Sequence, residues 1–207
     1  MSHTQKGRII LIISGMFSGK STTLISYIRK YTIAKKKVLT VNFARDTRYA
    51  NFVGSSGAYA NFVGSSGAYS NGGYIVSHDK TSYAVDYMCE KLSEIPEERI
   101  HSADVVIIDE GAFFDDLVEF ADSWANRGKI VVVAGLDGTY KREPFPNIAN
   151  LICKAEEVHK LSAVCTVCGD DAHFTKRIID SEEAILIGGT DVYEARCRGC
   201  FNLDALI

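Results

Sequence analysis

The sequence predicts an α/β fold, a doubly wound and mainly parallel sheet followed by a small cysteine-bounded unit. Three observations predict it. A β-branched apolar run at residues 9–13 breaks into a glycine-bearing turn and then a helical pattern. Further apolar runs recur at helix-length intervals, and one of them ends in Asp109 and Glu110. Two Cys-x-x-Cys pairs, Cys165/Cys168 and Cys197/Cys200, then bound the C-terminal stretch.

Residues 9–13 (Ile-Ile-Leu-Ile-Ile) have the continuous apolar character of a strand buried on both faces of a parallel sheet. The turn that follows, Ser14-Gly15-Met16-Phe17-Ser18-Gly19-Lys20-Ser21-Thr22, reads as a phosphate cradle of the P-loop NTPase kind. Gly19 lets backbone approach a phosphate closely, Lys20 brings a point charge to the β and γ phosphates, and the Ser21 hydroxyl can ligate the magnesium that bridges them. The common pattern places glycine four residues before Gly-Lys-Ser/Thr; here Ser14 occupies that position and Gly15 is displaced by one. Leu24, Ile28 and Tyr31 recur at helical spacing behind Lys20, so the strand-turn-helix context of the motif is met.

Residues 37–43 read as the next strand, at the interval a βαβ crossover needs. Residues 50–59 (Ala-Asn-Phe-Val-Gly-Ser-Ser-Gly-Ala-Tyr) are then repeated identically at 60–69. Two copies of a ten-residue unit are too few for a solenoid, and the Gly and Ser content of residues 50–73 favours a long flexible loop or hairpin excursion. It is either a flap near the phosphates or a tolerated surface insertion. Apolar Val85, Met88, Cys89 and Leu92 predict a short amphipathic helix over 83–92, ended by Ile95-Pro96. Residues 103–108 and 129–135 read as buried strands flanking a helix over 116–125. Strands alternating with helices imply a doubly wound sheet with ligands at the carboxyl ends of the strands. The alternation stops near Leu161, which places a boundary between a nucleotide-binding unit, 1–160, and a smaller unit, 161–207.

Composition limits the function classes. A formal net charge of −3 and the absence of a basic stripe beyond Lys35-Lys36-Lys37, read as a solvated helix end, argue against nucleic acid as partner. Strand-length apolar runs and a polar start argue against a membrane segment or secretory leader, so the expected location is the cytoplasm. Six cysteines in a cytosolic chain are not expected to pair as disulfides. The two Cys-x-x-Cys turns supply four thiolates for a closed, structural zinc site clamping the base of the excursion from Gly169 to Arg196. Cys89 and Cys153 lack partners at ligand spacing and read as buried small hydrophobes.

Asp109 and Glu110 follow four apolar residues, so both emerge at the mouth of the sheet on the edge that carries Lys20. Asp109 suits the carboxylate that holds magnesium opposite the P-loop serine, and Glu110 suits a base that accepts a proton from an attacking hydroxyl or water.

Met16 to Thr22, Asp46-Thr47-Arg48-Tyr49, Asp109-Glu110-Gly111, Leu136-Asp137-Gly138-Thr139, Thr175-Lys176-Arg177 and Ile187-Gly188-Gly189, together with both cysteine pairs, resemble the zinc-containing type II thymidine kinases over nearly the whole chain. The resemblance implies transfer of the γ-phosphoryl of ATP to the 5′-hydroxyl of thymidine, or of deoxyuridine, in nucleotide salvage. It implies Glu110 as catalytic base, and Lys20, Ser21 and Asp109 as phosphate and magnesium residues. The excursion between the cysteine pairs matches the family's lasso loop, with Thr175, Ile187, Gly188 and Tyr193 facing the nucleoside. Met16, Phe113, Leu136, Tyr140 and Phe145 match positions lining an apolar thymine pocket, and Arg177 lies toward its phosphate-accepting end. A homotetramer and feedback inhibition by dTTP are further implications. The chain departs from the family at Ser14-Gly15, where Gly-Pro is common, and at Ala112, where many members carry glutamine.

Two other classes compete. A P-loop ATPase with a zinc-bound nucleic-acid module is opposed by the acidic balance and by a cysteine-bounded loop without aromatic-basic interleaving. A non-catalytic nucleotide-binding scaffold would not require Glu110 beside Asp109.

Overall fold

The structure is a computed structural model that describes residues 6–44, 73–76, 81–181, 183, 186 and 188–203. Its centre is a six-stranded, wholly parallel sheet. In chain order its strands are β1 (Arg8–Ser14), β2 (Val38–Phe43), β5 (Tyr87–Cys89), β6 (Val105–Ile108), β7 (Ile130–Leu136) and β8 (Glu157–Lys160). They lie side by side in the order β5-β2-β6-β7-β1-β8. The chain leaves β1 and returns as β2 three places away, with β6 and β7 later filling the gap. The turns after β1, β6 and β7 therefore meet at one carboxyl edge, where ligands of such sheets bind.

The β-branched runs are continuous because both faces are covered. Ile9, Leu11 and Ile13 point with Val106, Ile108, Val131 and Val133 into one core, closed by α3 (Leu117–Asn126) and α4 (Pro146–Ile152) through Leu117, Phe120, Trp124, Ile148 and Leu151. The alternate residues Ile10 and Ile12, with Val105, Ile107 and Val132, face a second core. That core is closed by Leu24, Ile25, Ile28 and Tyr31 of α1 (Lys20–Ile33). Period two in the strands and period 3.6 in the helices thus meet on both sides of the sheet.

The helix expected over 83–92 is not formed. Residues Ser82–Ala84 (β4) pair antiparallel with Tyr74–Val76 (β3), and β5 joins the edge of the main sheet beside β2. Val85 and Cys89 are buried four residues apart, which mimics a helical stripe, but Val85 follows β4 and packs in the second core, whereas Cys89 ends β5 and packs in the first. Between them Asp86 accepts hydrogen bonds from the amide and the hydroxyl of Thr40, both 2.8 Å, so tertiary pairing with β2 overrides the local period. A 3₁₀ turn, Leu92–Glu94, and the short α2 (Glu97–Ser102) lead into β6. Cys89 is buried as expected, and burial pushes its thiol up to about 12. Cys153 is exposed, contrary to expectation, because it falls just beyond the end of α4, past the helix's inward face.

Beyond β8 the architecture changes to two small antiparallel pairs, β9 (Ala163–Val164) with β10 (Asp171–Ala172) and β11 (Phe174–Arg177) with β12 (Tyr193–Arg196), followed by α5 (Arg198–Asn202). Their core is small: Ala163, Cys165, Ala172, Ala195 and Cys200, with Phe17 of the turn after β1 packed against it. Ser14 also ties the two regions together, its hydroxyl donating to the Leu161 carbonyl at 2.7 Å. The duplicated stretch 50–69 and the Asp46–Tyr49 motif lie outside the described residues. Among the described residues, no helix is long and apolar enough to cross a membrane.

Candidate active site

The turn after β1 wraps the N-terminus of α1. Gly19 takes a left-handed φ of 78°, which delivers the chain into the helix without a side-chain cap, and no acidic residue stands in the first turn. The helix therefore presents backbone N–H groups and the positive end of its dipole, as an anion requires. The Lys20 ammonium folds over the turn and donates to the Gly15 carbonyl at 2.6 Å, and Ser18 donates to the same oxygen at 3.0 Å. Phe17 adopts a left-handed φ of 65° and packs toward the cysteine cluster. Thr22 is exposed on the next position of α1.

Asp109 directly follows β6 and is 5% exposed. One carboxylate oxygen accepts the Ser21 hydroxyl at 3.3 Å and the other accepts the Glu110 amide at 3.0 Å. Serine from one strand-turn unit and aspartate from another are thus brought face to face, the pair of oxygen donors that a hard divalent cation at phosphates uses. Glu110 has a left-handed φ of 53°. The 3₁₀ turn Gly111–Phe113 that follows is held by one side chain, since the Asn147 amide donates to the carbonyls of Gly111, Ala112 and Phe114 at 3.2, 2.9 and 2.9 Å.

Beside these groups opens a cavity of about 1020 Å³. Met16, Glu110, Phe113, Leu136, Tyr140, Phe145, Thr175, Gly188 and Tyr193 all line it, so nine residues singled out in the sequence share one wall system. Phe113 meets Phe145 edge to face at 5.8 Å and Phe43 at 5.6 Å, giving an apolar, aromatic floor. Thr175 reaches in from β11, where its hydroxyl accepts the Met16 amide at 2.8 Å. That bond fixes the acceptor half of the hydroxyl on the phosphate turn and leaves its proton directed elsewhere. Gly15 packs against this contact, because a Cβ there would stand 3.0 Å from the Thr175 oxygen. Ile187 lies outside the described residues. Arg177 is not among the lining residues; its guanidinium is buried behind Tyr140 and Tyr193.

Sequence reasoning did not pick out Phe43, Leu186 or Asn147, which also line the cavity. Phe43 was legible only as a strand residue. Asn147 carries no sequence signal, because its role exists only where α4 passes under the turn after Glu110.

The Cys165, Cys168, Cys197 and Cys200 sulfurs all lie within 4.8 Å of one another. Four Zn–S bonds of about 2.3 Å in a tetrahedron set sulfurs about 3.8 Å apart, so the cluster fits the metal. Burial works to raise the Cys165 thiol, but backbone hydrogen bonds with Cys197, Cys168 and Val167 outweigh it and bring it to about 6, while contact with the other sulfurs raises Cys168 and pushes Cys200 up to about 12. The four sulfurs thus titrate as one group, and the case for a metal rests on their spacing.

The fold and this edge define a P-loop-like α/β protein with a half-open aromatic cavity beside its phosphate-type turn. A family model described as thymidine kinase matches residues 7–61 and 65–201. Thymidine kinase 1 of Dictyostelium discoideum is 41% identical over 96% of this chain and 79% of its own length. The thymidine kinases of Monkeypox virus and of Vaccinia virus (strain Western Reserve) are each 43% identical, over 94% of this chain and 97% of theirs. Domain III of the replication initiation protein DnaA from Thermotoga maritima overlaps at a TM-score of 0.38 and 13% identity, covering 78% of this chain and 57% of that one. The chain belongs to the thymidine kinase family, whose members are ATP-dependent phosphotransferases.

Proposed function

We propose that this chain transfers the γ-phosphoryl of ATP to the 5′-hydroxyl of thymidine, with Glu110 as the base, and that deoxyuridine is a second substrate. The observation that carries the reading is the convergence at one edge of the Ser21–Asp109 pair, 3.3 Å apart, with Glu110 on the wall of an aromatic cavity. The triphosphate lies along the turn from Ser14 to Thr22. Its backbone N–H groups and Lys20 take up the phosphate charge, and Ser21 and Asp109 hold magnesium, which neutralises charge on the β and γ oxygens when bound.

Thymine lies among Met16, Phe113, Leu136, Tyr140 and Phe145, where a flat methylated base gains apolar contact. Thr175, with Gly188 and Tyr193 from the excursion between the cysteine pairs, meets its polar edge. Glu110 takes the proton of the 5′-hydroxyl as its oxygen attacks the γ-phosphorus and the bond to the β–γ bridging oxygen breaks to release ADP, and the nucleoside filling the cavity displaces water, the competing acceptor. Uracil lacks only the methyl group, a difference worth roughly 1–3 kcal/mol in such a pocket, so deoxyuridine is accepted more weakly.

The same reading divides the chain at residue 160 into a nucleotide-binding unit and a lasso unit that structural zinc holds through Cys165, Cys168, Cys197 and Cys200. It makes dTTP the feedback inhibitor, because one molecule offers thymine to the cavity and phosphates to the turn. A cytoplasmic homotetramer without nucleic-acid or membrane partners follows from the family resemblance and the charge balance. The deciding experiment follows ADP release from magnesium ATP against a panel of nucleosides and single-stranded DNA. Stimulation by thymidine and deoxyuridine alone is expected; stimulation by DNA without nucleoside overturns the reading.

A further inference from the structure

We propose that Arg177 is the positioning residue of the acceptor pocket, a buried guanidinium that holds Tyr140, Tyr193 and the chain after β11 in the arrangement that receives the nucleoside. The inference rests on the acceptor-pocket reading above.

Arg177 ends β11 and is 8% exposed. A charge taken that far out of water needs partners. Here they come from two separate parts of the chain. The guanidinium stacks on the Tyr140 ring at 3.7 Å, from the turn after β7, and stands 5.4 Å from the Tyr193 ring at the start of β12. One terminal nitrogen donates to the carbonyls of Ser181 and Glu183, and the other donates to the Tyr193 hydroxyl at 2.9 Å.

Because that hydroxyl oxygen accepts from the guanidinium, its own proton is directed onward, to the Leu186 carbonyl at 2.9 Å. Tyr140, Tyr193 and Leu186 all line the cavity, whereas Arg177 stands behind them. It therefore acts through the wall and not on the substrate. The arrangement is not the one that best satisfies the arginine itself: its Nε–H is buried with no hydrogen-bond partner among the described residues, which costs stability. Fixing the wall explains why such a group is kept. A planar fork that stacks on one ring while donating to two carbonyls and a hydroxyl is specific to arginine; an ammonium supplies the charge without the geometry.

None of these contacts reaches Lys20, Ser21, Asp109 or Glu110. Loss of the guanidinium is therefore expected to fall on nucleoside capture and to spare donor binding and chemistry. The test compares the zinc-loaded parent with Arg177→Met and Arg177→Lys, measuring thymidine and ATP constants, kcat and zinc content. Arg177→Met is expected to raise the thymidine KM at least tenfold and Arg177→Lys at least fivefold, with kcat, the ATP KM and zinc content each within threefold of the parent. A thymidine KM within twofold of the parent overturns the inference, as does a joint collapse of kcat, both constants and zinc, which marks a residue that only supports the fold. Should Arg177→Met not fold, Arg177→Lys decides by the same split. A parent without thymidine-dependent ADP release would instead overturn the underlying pocket reading.

Discussion

Glu110 shows how much one backbone angle decides. Its left-handed φ of 53° turns the chain sharply after β6, so that Asp109 faces Ser21 while its neighbour joins the cavity wall. Consecutive carboxylates thereby serve two different partners. Glu110→Gln keeps shape and removes the proposed base, so kcat is expected to fall at least about a hundredfold while thymidine affinity, read by calorimetry, stays within about twofold. A variant turning over at the parent rate would exclude Glu110 as the base. Cys89 supplies a prediction of another kind. Burial holds its thiol up to about 12, against an ordinary value near 9. Below pH 9 both folded and unfolded states carry the proton; between 9 and 12 only the unfolded state loses it. Stability contributed by the neutral thiol is therefore present below pH 9 and lost as pH rises toward 12, at most about 4 kcal/mol. Cys89→Ala should show a shallower decline in alkaline urea titrations than the parent, and parallel declines would exclude the effect.

At the scale of elements, stability depends on close approaches between segments distant in sequence. Gly7 precedes β1, and a Cβ there would meet the Ala125 carbonyl oxygen in the last turn of α3 at 1.9 Å. Backbone cannot yield as a side-chain end does, so Gly7→Ala is expected to cost about 1–3 kcal/mol, read as a lower urea midpoint at unchanged slope. The cysteine pairs belong to this scale too. Cys165 precedes a turn with Gly169 at φ 82°, and Cys197 caps α5 by accepting the Cys200 amide at 3.4 Å, so each pair is shaped by its own local backbone. Cys165→Ser is expected to lower zinc content below one per chain and raise the thymidine KM, because β11 and β12, which carry Thr175 and Tyr193, spring from this cluster. A metal-free variant with parent kinetics would separate zinc from the pocket.

Over the whole molecule, the cavity joins the parallel sheet to the small antiparallel pairs, since Glu110 and Leu136 line it from one and Thr175 and Tyr193 from the other. Thymidine should therefore stabilise both together. At a hundredfold excess over its dissociation constant the gain is about 2.7 kcal/mol, or roughly 5–10 °C in melting temperature for a chain of this size. Calorimetry should show a single upward-shifted transition with thymidine; a shift confined to one of two transitions would mean that the cavity does not bridge the regions.

The turn after β1, the carboxylates after β6 and the four cysteines were legible in the chain because their placement is local: residue type and spacing suffice to read a glycine turn leading into a helix, a pair of acids at the sheet edge and a chelating turn. The buried strands were legible for a related reason, since two-sided burial in a parallel sheet demands unbroken apolar runs. Residues 83–92 were not, because a stripe at helical spacing can also arise from two short strands whose partners lie elsewhere. The polar strand β8 carries no period at all and is defined by its pairing with β1. In the same way, Asn147 under the turn after Glu110 and Arg177 behind the aromatic wall draw their roles from backbone carbonyls and rings that only folding brings beside them. The sequence by itself determined which chemical groups stand at the sheet edge and in the cysteine cluster. Tertiary structure decided which residues hold those groups in place, because hydrogen bonding and stacking between distant segments leave no periodicity or spacing to read.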